Sequence, residues 1–595
     1  MDIAQAEQTD GVIRKPSLIA SATKKMAVTY LVSTVCAATV VIIDSLVAGI
    51  SIGQDALAAI AAAGPILAID QILHCLLGFG IDKLMVQAIG EGDRRRANRI
   101  FGAILVTVLV VYVLVFALLL LVERPLFQAM MGDDPLVDMV IDYTVPLFIT
   151  SPLFEALLCI ERAFRIDGRA RLFSKRSIVT NVANILGDIL MVSVLGLGVS
   201  GLAWASVLST AIGYTITLSH FWNNKRTVSP DFSVVSKPEE LLAYVGRDVR
   251  LGGTAALDEA MDSVALGAQT AAMGVAGGAA GLAIWAVYKS LRGVVYAASN
   301  GVSASVSVHA GLLFGQKDYA GVRYAAREGL QIVLMVSVGF ILFTLLLAHP
   351  IAMAYSVDEA LRPLCARCLR IGCLAFPAIA AMEVTTVYLP VVNQLGLTSK
   401  LVLLQHCLVI VSSAFGYVVG PQGLFVAYIV ATWACVLVLV FLLVRDEHWF
   451  VPERNPEAIA EYSLGLEPSQ IGIMSRAVTK TLSDLAYPAA FCARASLLVE
   501  DSMSYIAQRN PDSLVEADVL LDKEDDGVLI AITDAGAPYN PLADVAKLSW
   551  REPGGFETSI MLGFTKDVTY DRVLDLNRMS LLAMPAAMQE PSTTT

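Results

Sequence analysis

The chain has 595 residues, of which 56% are hydrophobic and only 16% are charged, and its formal net charge is −12. Soluble globular chains carry about 25% charged residues, so this composition excludes an ordinary soluble protein and places most of the chain in a membrane. No Walker A phosphate-binding sequence occurs, which argues against a P-loop pump. We expect no catalytic residue, no resident metal ion and no nucleic acid partner.

Apolar stretches long enough to cross a bilayer recur between Met26 and Val444. A membrane-spanning helix needs about 20 apolar residues, and on this criterion we count about twelve spans. The fold class that they predict is an all-α polytopic membrane protein, followed by a soluble α/β domain. The spans are 26–50, 57–90, 100–122, 136–165, 173–196, 198–222, 243–273, 278–312, 326–348, 361–394, 400–420 and 421–444.

A short sequence repeats within the membrane part. "IGEGDRRRANRIFGA" at 89–103 resembles "LFGQKDYAGVRYAAR" at 313–327, and each follows an even-numbered span. The repeat predicts two lobes of six helices in the same orientation, a plan typical of transporters that bind substrate between the lobes. The predicted organisation is a tail over 1–22, a first lobe over 23–222, an inter-lobe loop over 223–242, a second lobe over 243–445, a linker over 446–470 and a soluble domain over 471–590.

Basic residues cluster in alternate loops. Arg94, Arg95 and Arg96 follow the second span and Arg169 and Arg171 follow the fourth, whereas the loops "SIGQD", "GLGV" and "GPQG" carry no Lys or Arg. Loops rich in Lys and Arg stay in the cytosol. We therefore expect both termini in the cytosol of a bacterial cell and the spans among the lipids of its inner membrane.

Polar residues interrupt the apolar spans of the first lobe. Asp44 lies in the first span, Asn184 and Asp188 lie four residues apart in the fifth, and Ser206 lies in the sixth. A spacing of four residues places Asn184 and Asp188 on one helix face. A carboxylate in hydrocarbon costs at least a few kcal/mol, so such residues usually have a function. An oxygen-rich pocket of this kind suits a proton relay or a Na⁺ site, and the structural alternative is a polar clamp between helices.

At these residues the sequence resembles the multidrug and toxin extrusion (MATE) family of transporters. The resemblance rests on "IDSLVAGISIGQDALAAIAAAGP" at 43–65, "GEGDRRRA" after the second span and "NILGDILMVSVLGLGVSGLAWASVLS" at 184–209. In the branch that includes DinF-like members, a first-span Asp, a fifth-span Asn-x-x-x-Asp and a sixth-span hydroxyl bind the coupling cation. The resemblance implies that role for Asp44, Asn184, Asp188 and Ser206, although the hydroxyl is usually Thr in that branch.

The second lobe carries a further set of acids. Asp258, Glu259 and Asp262 lie in "ALDEAMDSVA", and Glu383 lies in "FPAIAAMEVTT". Other MATE branches place coupling acids in the seventh and tenth spans, so the resemblance makes these four a candidate second-lobe site. Wetted cleft walls or charges at helix ends are the alternative. Arg292 in the eighth span is placed to pair with these acids.

The soluble domain resembles the GHKL ATPases, specifically the anti-sigma-factor kinase branch. "ITDAGAPYNP" at 532–541 matches the adenine-binding turn, which implies that Asp534 and Gly536 bind the base. The same resemblance gives Glu500 or Asp501 the role of general base and puts Gly554 and Gly555 in the nucleotide site. Two departures indicate a degenerate site: Ser504 or Tyr505 stands where an Mg²⁺-binding Asn is expected, and Glu557 replaces a phosphate-binding Gly.

These patterns predict a secondary antiporter that exports a cationic or amphipathic small molecule in exchange for H⁺ or Na⁺. Its soluble domain is expected to be regulatory and without ATPase activity, with ATP and Mg²⁺ or a cytosolic protein as alternative ligands. Two other functions stay open. One is a flippase for lipid-linked precursors from the same superfamily, and the other is a membrane-tethered signalling protein whose soluble domain binds a partner.

Overall fold

The structure is a computed structural model that describes residues 17–131, 136–166, 170–221, 228–355, 359–446, 449–452, 458–524, 527–539 and 565–584. The chain separates into two compact units. The larger unit comprises Thr23–Asp318 and Ala325–Val451, and the smaller comprises Met1–Ala22, Tyr319–Tyr324 and Pro452–Thr595.

The larger unit is built from long helices. Those in the first half of the chain are α1 (Ser17–Ser51), α2 (Gln54–Gly90), α3 (Arg94–Met131), α4 (Leu136–Ile166), α5 (Ala170–Asp188) with a π-helical extension (Ile189–Val194), and α6 (Gly198–Phe221). After a short 3-10 helix (Phe232–Ser236) follow α7 (Pro238–Gly315), α8 (Tyr319–Ala354), α9 (Arg362–Gly372), a 3-10 turn (Cys373–Ala375), α10 (Phe376–Val391) and α11 (Leu395–Arg445).

Two of these helices each contain a sharp break at a glycine. Gly278 in α7 has φ 56° and ψ −144°, and Gly420 in α11 has φ 76° and ψ −174°. Positive φ is accessible to glycine because it has no Cβ. At 1.5 Å per residue, 78 helical residues would extend about 117 Å, far more than one bilayer crossing needs. Each break therefore joins two of the predicted spans end to end.

Ten segments of the described residues are long and apolar enough to cross a membrane. This count takes α7 once and does not include α1, which is why it is lower than the twelve spans that the sequence predicts. Apolar side chains face outward along these helices, as Leu114, Leu118 and Leu121 of α3 do. Exposed leucines three to four residues apart form a stripe that suits contact with lipid. The chain is a multi-pass membrane protein.

Small residues allow neighbouring helices to approach closely. A Cβ on Gly187 of α5 would lie 3.1 Å from the Cβ of Ala205 on α6, and a Cβ on Gly213 of α6 would overlap Thr180 of α5. Small residues at such crossings are the usual means of helix packing in membranes, because backbones can then come into contact. The close approach at Gly187 brings α5 against α6 one residue before Asp188.

The smaller unit contains a sheet of five strands, β1 (Ala458–Gly465), β2 (Glu516–Glu524), β3 (Gly527–Asp534), β4 (Thr565–Val573) and β5 (Leu576–Ala583), in the order β1-β2-β3-β5-β4. All neighbouring strands are antiparallel. Two helices, α12 (Pro468–Asp484) and α13 (Ala489–Gln508), share one hydrophobic core with the sheet.

The first strand lies where the sequence predicted a linker, so this domain begins before residue 471. β1 pairs with β2 over seven residues and reads "AIAEYSLG", with its buried positions spread among polar ones. Charged and proline residues directly before it, in "VPERNPE", obscure this short pattern in the sequence. The sequence "ASLLVEDSMSYIAQ" at 495–508 forms most of α13, and "GVLIAITD" forms β3.

Candidate functional site

Helices α1 and α5 lie side by side and run in the same direction. Ser33 of α1 is 2.7 Å from the hydroxyl of Ser174, and its carbonyl accepts from Ser177 at 3.3 Å. Further along both helices, Ser51 lies 3.0 Å from Ser193 in the π-helical extension. Because residue numbers rise together on the two sides, the last part of α1 faces the end of α5.

This arrangement brings two predicted residues together, Asp44 and Asp188. Their carboxyl groups are within hydrogen-bonding distance of each other. Asp188 is fully buried, and taken as a carboxylate it receives no hydrogen bond on either oxygen from the part of the chain that the structure describes. Two ionised carboxylates in contact repel, so a shared proton or a bound cation is needed to hold them together.

The other two predicted residues of the first lobe form a second contact. The amide of Asn184 donates to the hydroxyl of Ser206 at 3.3 Å, and Asn184 is buried. Asn184 precedes Asp188 by one helical turn, so the two contacts lie on the same face of α5. Tyr143 of α4, which the sequence analysis did not single out, lies within electrostatic range of both Asp44 and Asp188.

The helix changes geometry directly after Asp188. Residues Ile189–Val194 are π-helical, and the amide of Leu195 donates to the carbonyl of Leu190, five residues earlier, at 2.9 Å. Short π-helical segments are rare and frequently occur at functional sites, because the wider turn leaves backbone groups free to rearrange. Nothing in the sequence of this run, "ILMVSV", distinguishes it from an ordinary helix.

A polar cavity of about 190 Å³ lies between helices of the two halves of the larger unit. The first-half side is formed by α2 and by Arg162 of α4, and the second-half side by α7 and α10. Three of the predicted second-lobe acids, Asp258, Glu259 and Glu383, line it. With Asp82 on the opposite wall, carboxylates outnumber the basic Arg162, so the cavity favours a cation over an anion.

Two of the second-lobe acids have strong partners. Asp262 accepts from Nη2 of Arg292 at 2.5 Å, as the sequence predicted, and Asp258 lies 2.7 Å from Nε2 of His406. His406 sits alone in the apolar sequence "LLQHCL" and was not singled out. Its ring also approaches Asp262 at 4.0 Å, so the two acids and two basic groups form one network.

The first-half wall of the cavity carries a triad of charged and polar groups that the sequence analysis missed. Nδ1 of His74 lies 2.9 Å from both oxygens of Glu155, and Nε2 of His74 lies 2.8 Å from Nη2 of Arg162. Nη1 of Arg162 also donates to the carbonyl of Gly78. Glu155 and Arg162 are seven residues apart in an apolar run, a helical spacing that could have indicated a shared face.

In the soluble domain, the predicted adenine acceptor Asp534 is fully buried and bonded to the protein itself. One carboxylate oxygen accepts from the amide of Gly536 and from Nδ2 of Asn577, both at 2.8 Å, and the other accepts from the hydroxyl of Tyr539 at 2.9 Å. Burial raises the pKa of Asp534 above its ordinary value despite these bonds. These three donors leave a carboxylate about one acceptor position, on the oxygen that Tyr539 bonds, for an adenine amino group.

The remaining predicted nucleotide residues are less closely connected to Asp534. Glu500 is partly buried on α13. Gly536 is tightly packed, because a Cβ there would lie 2.7 Å from the side-chain nitrogen of Asn510. Gly554 and Gly555 lie outside the residues that the structure describes. Asn577, which the sequence analysis did not single out, also accepts from Arg572 at 2.6 Å and from Tyr570 at 2.9 Å.

Long apolar helices around a polar cavity, with buried carboxylates, define a membrane transporter rather than an enzyme. The chain belongs to the MATE family: the family profile MatE matches residues 30–190 and 264–415. The "Probable multidrug resistance protein NorM" of Caulobacter vibrioides is 24% identical over 380 residues, which are 62% of this chain and 78% of that protein.

Solved structures share the fold. A MOP superfamily transporter from Pyrococcus furiosus, described as having a binding pocket of reverse polarity that suggests a different function, is 18% identical with a TM-score of 0.66. The match covers 72% of this chain and 96% of that one. A mutant of the Vibrio cholerae MATE transporter VcmN is 20% identical with a TM-score of 0.65, and the match covers 73% of this chain and 98% of that one.

Proposed function

We propose that this MATE transporter is an antiporter that expels a cationic or amphipathic small molecule in exchange for H⁺ or Na⁺, with Asp44 and Asp188 as the coupling site. The observation that carries the proposal is the contact between the carboxyl group of the half-buried Asp44 and that of the buried Asp188, which receives no hydrogen bond from another described residue. A proton or Na⁺ between them removes the repulsion, and its departure restores it. Such a local change of charge can bias two arrangements of the helices.

Asn184, Ser206 and the DinF-like branch belong to the same proposal. Asn184 and Ser206 lie on the same side of α5 as Asp188 and supply neutral oxygens, which are suitable Na⁺ ligands beside carboxylates. The π-helical turn after Asp188 supports the proposal because it allows backbone groups near the pair to rearrange. We place both termini in the cytosol and the spans in a bacterial inner membrane, on the distribution of Arg and Lys.

The acidic cavity supports a cationic substrate. A flippase for lipid-linked pyrophosphates needs basic residues along its cleft, because each phosphate carries negative charge. The described lining instead presents Asp82, Asp258, Glu259 and Glu383 beside Arg162. A cation that enters would compete with Arg162 for these carboxylates.

For the soluble domain we propose regulation through a cytosolic protein partner, with ATP and Mg²⁺ as the alternative ligand. The internal bonds of Asp534 support this choice, because three protein donors leave the buried carboxylate about one acceptor position for adenine. Binding of a fluorescent ATP analogue to the full chain, with and without Mg²⁺, tests it. We expect no saturable binding, and saturable binding that competes with ATP would overturn the choice.

The antiport proposal is tested by reconstituting the full chain in liposomes and imposing a proton gradient or a sodium gradient separately. Uptake of tetraphenylphosphonium, a lipophilic cation without titratable groups, is followed with each gradient and with neither. We expect accumulation only with one of the two gradients, and that gradient identifies the coupling ion. Equal uptake under all three conditions would contradict antiport.

A further inference from the structure

We propose that His74 is a second proton-binding site of the transport cycle, and that its protonation converts the His74–Glu155–Arg162 triad from neutral to positive and expels a cation from the cavity. This inference rests on the proposed antiport function. It concerns a group separate from the Asp44–Asp188 pair, on different helices and on the wall of the cavity itself.

The hydrogen bonds of the triad fix the state of His74. Arg162 has only donors, so Nε2 of His74 must accept its hydrogen bond at 2.8 Å. The ring proton is therefore on Nδ1, from which it is donated to Glu155 at 2.9 Å. The imidazole is neutral in this arrangement, and the charges of Glu155 and Arg162 cancel.

Protonation of His74 breaks one of these contacts. A proton from solvent binds Nε2 and turns it into a donor, so Nε2 can no longer accept from Nη2 of Arg162. Arg162 keeps its bond to the carbonyl of Gly78 and loses its bond to the ring. The triad then carries a net charge of +1, and a guanidinium freed from its acceptor stands at the wall of the cavity.

The surroundings of His74 allow this step. Both His74 and Arg162 line the 190 Å³ cavity, so water can deliver the proton. Glu155 and Arg162 on α4 bond to the ring, and Asp70 on α2 and Glu259 on α7 interact with it electrostatically. The cavity that the ring lines also carries Asp82 on α2, Asp258 on α7 and Glu383 on α10. The carboxylates among them compensate an imidazolium, and they are the groups that would hold a cationic substrate. Proton and substrate thus compete for the same negative charge.

Histidine is suited to such a role because it changes charge between about pH 5 and 8. The chain offers a matched control in His309, which is also buried in the membrane unit but lies outside the lining of this cavity. Nδ1 of His309 bonds to the carbonyl of Ser305 on its own helix at 2.9 Å. A change at His309 therefore alters a buried histidine without altering the triad.

The test measures equilibrium binding of tetraphenylphosphonium to the full chain in detergent from pH 5.5 to pH 8, for the wild type, His74→Gln and His309→Gln. Glutamine can donate to Glu155 and accept from Arg162 but does not titrate. We expect wild type and His74→Gln to bind equally at pH 8. At pH 5.5, His74→Gln should bind about tenfold more tightly than the wild type, because glutamine cannot take up the proton that repels the cation. His309→Gln should follow the wild type.

Parallel profiles for the wild type and His74→Gln would overturn the inference. If His74→Gln does not fold, Glu155→Gln provides the second test, because loss of this carboxylate should move the acid-side fall in binding to lower pH, and an unmoved profile overturns the inference. Gradient-driven uptake by the wild type is scored separately. Its absence refutes antiport, whereas uptake with a pH profile that His74→Gln leaves unchanged refutes only the role of His74.

Discussion

Two sets of acids in the membrane unit, the Asp44–Asp188 pair and the Asp258–Asp262 pair, differ in their partners. In the first half, Asp44 and Asp188 contact each other and find no basic partner among the described residues. In the second half, Asp262 is paired with Arg292 and Asp258 with His406. A carboxylate that already has a counter-charge gains little from binding an ion, whereas a pair without one requires it. The comparison supports the proposed coupling site at Asp44 and Asp188 and a structural role for Asp262.

The largest expected effect is on transport by Asp188→Asn. Removal of a buried charge lowers the desolvation penalty, so the variant should reach the membrane in normal amounts. An amide neither titrates in this range nor offers a full negative charge, so gradient-driven uptake should fall to the level of protein-free liposomes. Asp44→Asn should do the same.

The double variant separates one site from two. Because both residues act on one bound ion, Asp44→Asn with Asp188→Asn should be no worse than either alone. Normal transport by Asp188→Asn together with an inactive Glu383→Gln would move the coupling site to the second half and leave the first-half residues as a clamp between helices.

The next effect is on stability, through the ion pair of the second half. Asp262→Asn leaves the guanidinium of Arg292 buried without its counter-charge, which costs about 3–5 kcal/mol. Adding Arg292→Gln should restore most of the loss, since neither charge then stays unpaired. Thermal unfolding in detergent measures both. A single variant as stable as the wild type would contradict the structural role of this pair.

Asp534 of the soluble domain is a third case, because its carboxylate accepts three hydrogen bonds from uncharged groups of the protein. Asp534→Ala removes the acceptor of the buried Gly536 amide and Tyr539 hydroxyl and should destabilise the soluble domain by about 1–3 kcal/mol. Asp534→Asn should cost less, because its amide can donate to the hydroxyl of Tyr539. The urea concentration at which a protease cleaves the domain within the full chain measures each change. Equal losses of stability in Asp534→Ala and Asp534→Asn would contradict the hydrogen bond between Asp534 and Tyr539.

The same residue gives a pH dependence with a defined sign. Burial raises the pKa of Asp534 in the folded domain, so the folded state favours the protonated carboxyl. The protonated carboxyl stabilises the folded domain fully at pH values below the pKa that Asp534 has in the unfolded chain. This stabilisation is lost as the pH rises through the pKa of Asp534 in the folded domain. The free energy of unfolding of the wild type relative to that of Asp534→Asn should therefore increase as the pH falls from 7 towards the pKa of Asp534 in the folded domain. A decrease in this difference on acidification would contradict a raised pKa of Asp534 in the folded domain.

The smallest effect is expected for Glu383→Gln, which removes one of several carboxylates from the cavity. Asp82, Asp258 and Glu259 remain, so affinity for tetraphenylphosphonium should fall by less than about tenfold, equivalent to about 1.4 kcal/mol. Coupling to the gradient should persist. Complete loss of gradient-driven uptake in Glu383→Gln would contradict the proposal that the Asp44–Asp188 pair couples transport to the gradient.

The sequence predicted the membrane spans well because apolar length is a local property. It also placed Asp44, Asn184, Asp188 and Ser206 on helices that meet, since a carboxylate in an apolar run is conspicuous. It did not predict the His74–Glu155–Arg162 triad, because Glu155 and Arg162 lie on α4 and their partner His74 lies on α2. Only the folded structure brings the three side chains together. The π-helical turn and the bonds of Asp534 were equally inaccessible, because both depend on tertiary packing rather than on local pattern.

Infrared difference spectroscopy of the reconstituted chain, recorded on a change of pH or on addition of Na⁺, tests the central claim most directly. The claim is that the Asp44–Asp188 pair binds the coupling ion. It predicts a carboxyl band that changes with the ion, disappears in both Asp44→Asn and Asp188→Asn, and persists in Glu383→Gln. A band that survives both first-half substitutions and disappears in Glu383→Gln would contradict the claim.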